Sequence, residues 1–281
     1  MIEVDELIEM ALREDIGDGD ITTSSILKSS QEAVAHLIAK EHLILAGIDV
    51  FHKVYKKLDS GLKLVKHFED GEPVTQGSVI AEIKGEISTI LKGERVALNF
   101  LQHLSGIATH THTFVVKVKS YPVKILDTRK TTPGWRSLEK YAVKMGGGEN
   151  HRLGLFDAVL IKDNHSTSAG GISEAVRRVR SQVPNGFKIE VETKNLQEVK
   201  EALASGVNTI MLDNMSVEMV REAVALVGKR ALVEASGNVT LDTVEEIAGT
   251  GVDLISIGAL THSAPSADIS LKIVESSQSR L

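Results

Sequence analysis

Lys188-Ile189-Glu190-Val191-Glu192, then the stretch Leu196–Ala204, then Thr209-Ile210-Met211-Leu212-Asp213-Asn214 decide the fold. In the first piece, Lys188, Glu190 and Glu192 fall on one face and Ile189 and Val191 on the other, the period of a strand. The second reads as a helix, and the third as another strand that ends in acid and amide. A strand, a helix and a strand in that order give parallel neighbours. The same rhythm runs from about residue 120 onward. Strands are expected at Val123–Leu126, Ala158–Ile161, Lys188–Val191, Thr209–Leu212, Leu232–Glu234 and Leu254–Ile257. Helices are expected at Ser137–Met145, Ile172–Val183, Leu196–Ala204, Val217–Val227 and Leu241–Ala248.

Almost every expected strand ends in polar chemistry: Asp127-Thr128-Arg129-Lys130, Lys162-Asp163-Asn164-His165, Glu192, Asp213-Asn214, Glu234-Ala235-Ser236-Gly237 and Ser256-Ile257-Gly258. Polar residues at the carboxyl end of strand after strand are the layout of a β/α barrel, whose active site sits at that face. Six units in about 160 residues fall short of the ~250 of a closed eightfold barrel. The expected fold is therefore α/β, with an open, incomplete β/α barrel. No G-x-G-x-x-G follows the first strand, which weighs against a dinucleotide-binding fold.

The first half has a different rhythm. Val4, Leu7, Ile8 and Leu12 lie at helical spacing, and Asp15-Ile16-Gly17-Asp18-Gly19-Asp20 breaks that helix. This acidic turn lacks the register and terminal Glu of a calcium loop, so it reads as a structural turn. Strand-like pieces at Ala33–Ala39, Leu62–Phe68 and Val79–Ile83, with a helix at Asp49–Leu58, make a small α+β module. Gly93-Glu94-Arg95 is expected to open a long helix with Ala97, Leu101, Leu104 and Ala108 along one stripe. A cation at a helix start has no favourable partner in the macrodipole, so Arg95 needs another reason to be there. The expected division is an N-terminal α+β domain at 1–107 and a barrel domain at 108–281, with the C-terminal tail free to pack back on the N-terminal domain.

With 42% hydrophobic and 25% charged residues, the chain has the composition of a globular protein. No apolar run approaches the ~20 residues of a membrane span, and the acidic start Met1-Ile2-Glu3-Val4-Asp5-Glu6 is unlike a signal or transit peptide. A chain without cysteine has no disulfide, thiolate metal site or Cys nucleophile, which fits a cytoplasmic location. A pI near 6.0 argues against a nucleic-acid binder. Charge is nevertheless uneven. From Lys117 to Lys162 ten Lys/Arg face four Asp/Glu, a window of +6 in a chain of −6, leaving −12 for the rest. These cations alternate with Thr, Pro and Gly in expected loops, around Asp127–Gly134 and Gly146–Arg152, so a pocket for a multiply charged anion is favoured over a solvated basic face.

Glu190 and Glu192 would point into the barrel lumen, and acids there need cations, a metal or sugar hydroxyls. With Asp213 on the next strand end, Glu192 offers hard oxygen donors suited to Mg²⁺ beside a phosphorylated ligand; a salt bridge to nearby lysines is the alternative. The small residues of Ala235-Ser236-Gly237-Asn238 and Ser256-Ile257-Gly258-Ala259 precede helices, where backbone N–H groups can grip a phosphate. Together these features fit transfer involving a phosphorylated sugar and a second, anionic substrate.

In this order the motifs resemble the quinolinate phosphoribosyltransferase family of NAD biosynthesis. The likeness runs through Glu14–Thr23, Gly93-Glu94-Arg95, Gly106-Ile107-Ala108-Thr109, Asp127–Gly134 and Gly146–Arg152. It continues through Leu160–His165, Glu190-Val191-Glu192, Asp213-Asn214-Met215, Glu234–Gly237 and Ser256–Ser263, departing at Met145, where cysteine is expected. The resemblance implies conversion of quinolinate and phosphoribosyl pyrophosphate to nicotinate mononucleotide, pyrophosphate and CO₂, with Mg²⁺. It implies that Arg129, Arg152 and Lys162 bind the quinolinate carboxylates with His151 beside them, and that Thr128 and Lys130 belong to the substrate site, Lys130 facing the pyrophosphate. Glu192 and Asp213 would hold the ribose hydroxyls and Mg²⁺. Ser236, Gly237, Asn238, Ile257, Gly258 and Ala259 would hold the 5′-phosphate, with His262 nearby. It further implies a homodimer, or a higher assembly of dimers, in which Arg95 enters the neighbouring subunit's site. Two rivals stay open: a related transferase acting on nicotinate or another heterocycle without decarboxylation, and a non-catalytic phosphosugar sensor on the same barrel.

Overall fold

The structure is a computed structural model that describes residues 3–27, 29–184 and 186–276; Met1, Ile2 and the tail at 277–281 lie outside them. By compactness the chain divides into two units that interleave in sequence. The first comprises Met1–His112, Thr132–Gly147 and Ser263–Leu281, and the second Thr113–Thr131 and Gly148–His262. The division expected from the sequence was one cut at 107/108; the first unit takes in two later segments as well.

The first unit begins with α1 (Val4–Ile16) and α2 (Ile21–Ile26). Between them Gly17 and Gly19 adopt φ of +51° and +143°, and the Asp20 carboxylate accepts the Thr23 N–H at 2.9 Å, capping α2. The acidic turn thus has a structural job. Next come β1 (Glu32–Ala39), β2 (Leu43–Ile44), α3 (Ile48–Leu58), β3 (Lys63–Lys66), β4 (Pro73–Val74) and β5 (Val79–Glu86). Along β1, Ala33, Ala35, Leu37 and Ala39 are buried and alternate with more exposed residues, the signature of a sheet with one packed face. β1 pairs antiparallel with β5 on one side and on the other with Ile269–Ser276, the last strand of the chain (β12). The sheet order is β12-β1-β5-β3.

α4 (Ile87–Lys117) is one continuous helix of 31 residues. The sequence predicts a start at Gly93; the structure places it at Ile87. Arg95 is therefore in the third turn, exposed, and the argument from the helix dipole does not apply to it. Gly93 is inside the helix for a packing reason: a Cβ there would lie 2.6 Å from the Tyr55 ring of α3. At Gly106 a Cβ would collide with the Pro265 carbonyl oxygen. Gly106→Ala is expected to destabilise the fold by about 1–3 kcal/mol through overpacking. Equilibrium denaturation would read this as a lower midpoint at unchanged slope; an unchanged midpoint would mean that the 265–266 segment yields freely.

After β6 (Lys124–Leu126) the chain returns to the first unit for α5 (Arg136–Met145). There Trp135 stacks on Phe100 with ring centroids 4.6 Å apart, and the buried Glu139 accepts from His103 Nε2 at 2.9 Å and from the Thr132 N–H at 3.1 Å.

The second unit continues with β7 (Val159–Ile161), α6 (Asp163–Ala169), α7 (Ile172–Gln182), β8 (Ile189–Thr193), α8 (Leu196–Ala204) and β9 (Thr209–Asp213). It ends with α9 (Val217–Val227), β10 (Leu232–Ser236), α10 (Val244–Ala248), β11 (Leu254–Ser256) and α11 (Ala259–His262). Asn195 and Ser216 cap α8 and α9, accepting the N–H groups of Glu198 and Met219. On β8, Ile189, Val191 and Thr193 are buried while Glu190 and Glu192 take the other face, as the alternation predicts. The six strands form one parallel sheet in the order β6-β11-β10-β9-β8-β7. β6 and β7, consecutive in the chain, lie at opposite edges and do not pair, so the barrel is open. Among the described residues no helix is long and apolar enough to cross a membrane.

Candidate active site

A cavity opens at the carboxyl ends of the second unit's strands. It is lined by Thr128, Arg129 and Lys130 after β6, His151 and Arg152 before β7, Leu160 and Lys162 at β7, Glu192 on β8, Met211 and Asp213 on β9, Ser236 on β10 and Ser256 on β11. Both edge strands contribute. In a flat sheet they would stand five spacings of ~4.8 Å apart, about 24 Å, so the sheet must curl to bring them around one cavity.

The cations form one wall. Burial, and next the charge of Arg129, hold the Arg152 guanidinium below its ordinary pKa, with Glu190 and Asp157 opposing. Arg152 Nη1 donates to the Ala158 carbonyl at 3.1 Å, while its buried Nε has no protein partner among the described residues. Two neighbouring guanidiniums with a donor left over are a fixed receptor for an anion. Lys130 is anchored by its backbone: its N–H donates to Thr128 Oγ1 at 3.0 Å, and its carbonyl accepts from Thr261 Oγ1 at 2.7 Å. Lys162 follows β7 directly, its N–H donating to His165 Nδ1 at 3.0 Å.

The acids sit on the neighbouring strands. Burial, and then the nearby charge of Asp213, push the Glu192 carboxyl above its usual range, with Lys162 pulling it down. A carboxyl raised by an acidic neighbour beside open space is a natural seat for a divalent cation.

After β10, Gly237 has φ +98° and a Cβ there would strike the Asn214 side-chain amide, so only glycine fits. Asn214 and Asn238 also take positive φ, and Asn238 Nδ2 donates to Asn214 Oδ1 at 3.0 Å. After β11, a Cβ on Gly258 would lie 2.9 Å from Lys130 Cδ and 3.1 Å from His262 Nε2. The turn after β11 therefore brings backbone close to Lys130 of the cationic wall.

The floor is polar and buried. Asp127, fully buried, accepts the His151 N–H at 2.9 Å and Asn150 Nδ2 at 2.6 Å, fixing the turn that presents His151. His151 Nδ1 accepts the Arg152 N–H at 2.8 Å, so the ring proton is on Nε2, which lies 3.0 Å from Glu190 Oε2 and 3.7 Å from Glu234 Oε1. Ser256 Oγ donates to Glu234 Oε1 at 2.5 Å.

The sequence-expected residues Thr128, Arg129, Lys130, His151, Arg152, Lys162, Glu192, Asp213 and Ser236 thus share one cavity. Gly237, Asn238, Ile257 and Gly258 occupy the turns after β10 and β11, Ala259 and His262 lie in α11, and none of the six is among its lining residues. Arg95 belongs to the first unit and is not a lining residue either. The sequence reading did not single out Asp127, Glu234 or Ser256 as working side chains. The available signal was an acid or hydroxyl at an inward position of an otherwise apolar strand end.

Residues 20–105 and 107–272 match the N-terminal and C-terminal domains of quinolinate phosphoribosyl transferase. The chain is 42% identical over 278 residues to a probable nicotinate-nucleotide pyrophosphorylase (carboxylating) of Bacillus subtilis, covering 99% of this chain and 96% of that protein. It is 45% identical over 286 residues to quinolinate phosphoribosyltransferase (decarboxylating) 1b of Nicotiana tabacum, covering 95% and 81%. The crystal structure of NadC from Streptococcus pyogenes aligns with a TM-score of 0.92 at 42% identity, covering 97% of each chain. With both family domains matched in order and the shared motifs gathered at one set of strand ends, the chain belongs to the quinolinate phosphoribosyltransferase family.

Proposed function

We propose that this protein transfers the phosphoribosyl group of phosphoribosyl pyrophosphate to the ring nitrogen of quinolinate and releases CO₂, giving nicotinate mononucleotide and pyrophosphate in the cytoplasm. One observation supports this above the rest: a wall of Arg129, Lys130, Arg152 and Lys162 shares its cavity with the acids Glu192 and Asp213. A site for a dicarboxylate plus a phosphorylated sugar needs both. A sensor for a phosphosugar would have no use for the full cationic set, and nicotinate would need fewer cations.

In this reading Arg129, Arg152 and Lys162 hold the two carboxylates, with His151 as a neighbouring wall and Lys130 toward the pyrophosphate. The turns Ser236-Gly237-Asn238 and Ile257-Gly258-Ala259 grip the 5′-phosphate, with His262 beside them. Glu192 and Asp213 take the ribose hydroxyls and Mg²⁺, which when bound supplies positive charge to the leaving pyrophosphate. The pyridine nitrogen is the nucleophile: its lone pair forms the bond to C1 of the ribose as the bond to pyrophosphate breaks. No protein nucleophile is required, so the residues act by alignment and by stabilising charge on the leaving group. Alkylation makes the ring cationic. When the adjacent carbon loses CO₂, the electron pair left behind is stabilised by that charge and then takes up a proton.

The deciding assay offers the purified protein Mg²⁺ and phosphoribosyl pyrophosphate with quinolinate or nicotinate separately. Nicotinate mononucleotide with CO₂ from quinolinate, and no turnover of nicotinate, is the expected result; product from nicotinate would point to the non-decarboxylating relative. Glu192→Ala and Asp213→Ala are each expected to cut kcat/KM for phosphoribosyl pyrophosphate by about tenfold or more, with little change in quinolinate binding by calorimetry without the second substrate. Equal loss of quinolinate binding would count against this division of roles.

A further inference from the structure

We propose that Glu234 is a positioning residue of the quinolinate pocket: it is kept as the neutral acid, donates its proton to Glu190, and through that pair fixes the His151 ring in its Nε2–H form. This rests on the reading above that His151 lines the quinolinate pocket.

Counting donors leads to it. Glu234 is 1% exposed, and one of its carboxyl oxygens lies within 4.8 Å of one of Glu190's. Two carboxylates cannot share a hydrogen bond unless one of them carries a proton. Glu190 Oε2 faces the His151 Nε2–H at 3.0 Å, while Glu190 Oε1 is buried with no hydrogen-bond partner among the described residues. His151 has no second proton to give, since its Nδ1 accepts the Arg152 N–H. The missing donor for Glu190 Oε1 is the Glu234 hydroxyl. Glu234 is the better place for the proton because it lies deeper, 1% exposed against 13% for the Glu190 side chain.

The groups facing Glu234 are Glu190 from β8, His151 from the turn before β7, Ser256 from β11 and, opposite it in register on β9, the uncharged Met211. Burial, then the charge of Glu190, push its carboxyl up to about 8, with His151 and Ser256 opposing. The consequence for the pocket is electrostatic. With Glu234 neutral, the Glu190–Glu234 pair carries one negative charge rather than two, and the field of Arg129 and Arg152 is left for the incoming dicarboxylate. A second charge there would repel it.

Glu234→Gln and Glu234→Ala separate the possibilities. Gln can donate to Glu190 and accept from Ser256, so it should replace a neutral acid but not a carboxylate. At pH 7 the Gln variant is expected to keep the quinolinate KM within about twofold, while Ala raises it by about tenfold or more. From about pH 7 to 9 the wild-type KM should rise as Glu234 ionises, and that of the Gln variant should stay flat.

Two readouts need no substrate and so stand or fall apart from the assigned reaction. Nitrogen-15 spectra of labelled histidine should show His151 as the Nε2–H form in wild type and Gln, and a mixture in Ala. The second is stability. An acid whose folded pKa is raised gives its full stability below its unfolded pKa of ~4.3 and loses it as pH rises through the folded value. The gain in melting temperature of Gln over wild type should therefore grow from about pH 5 to about pH 8.

Oxygen and nitrogen ligand atoms of His151, Glu190 and Glu234 lie within 4.8 Å of one another, so a divalent cation is the competing occupant. A Gln variant as impaired as Ala, or a metal ion that survives dialysis in wild type and is lost in the Gln variant, would overturn the proposal.

Discussion

Replacing Arg152 by lysine is expected to lower kcat/KM for quinolinate by about 10- to 100-fold, although the charge is kept. The guanidinium is held in place by the bond from Nη1 to the Ala158 carbonyl and by the turn that Asp127 fixes. Its buried Nε has no protein partner among the described residues, and its neighbour is another guanidinium. A planar fork can present two parallel N–H groups to one carboxylate while its third nitrogen stays anchored; an ammonium gives up one or the other. Lysine would also leave the Ala158 carbonyl without its donor. Initial rates over a range of quinolinate at saturating phosphoribosyl pyrophosphate would read the effect. Near-normal turnover at low quinolinate would remove Arg152 from the carboxylate site and leave it as a balance for Glu190 and Asp157.

The catalytic half was readable because its local signals agree with its tertiary role. On β8 the same alternation that announces a strand also puts Glu190 and Glu192 on the inward face, and on β9 the strand ends where Asp213 is needed. Elsewhere the cause lay far away in sequence. Gly93 reads as a helix opener because glycine is a poor helix former, yet it sits inside α4 so that the helix can approach Tyr55. That one residue displaced Arg95 from the third turn to the first. α6 escaped notice because Asp163-Asn164-His165-Ser166-Thr167-Ser168-Ala169 has no apolar stripe; none of its residues is buried, so periodicity had nothing to report. β12 escaped because its partner β1 is more than two hundred residues earlier, and strand pairing over that span leaves no local mark.

The site shows the same division. Cations beside glycines are visible one residue at a time, whereas Glu234 acquires its meaning only from Ser256, Glu190 and His151, which come from three other parts of the chain. Glu190 was legible as an acid needing a partner, but Glu234 was not legible as that partner.

The largest effect is expected at Arg95, if the protein shares its sites across a dimer as the family resemblance implies. Arg95 no longer has a helix-start anomaly to explain, but it remains an exposed cation on α4, outside the set that lines the cavity. The family resemblance implies that it acts in the neighbouring subunit, and a symmetric dimer can offer the same surface of each copy to the other. Arg95→Ala and Lys162→Ala proteins should each be nearly inactive, because every site in each lacks one group. Mixed under conditions that allow exchange, about half of the dimers would be hybrids. In a hybrid one site carries both defects and the other carries neither, so about a quarter of all sites should regain native chemistry by this symmetry count. If Arg95 serves its own chain, every site in every combination keeps one defect. Activity measured against time after mixing, with exchange followed independently by a mass-tagged subunit, separates the two. Complete exchange without recovered turnover would sink the shared site while leaving the reaction, and the cavity that performs it, as assigned.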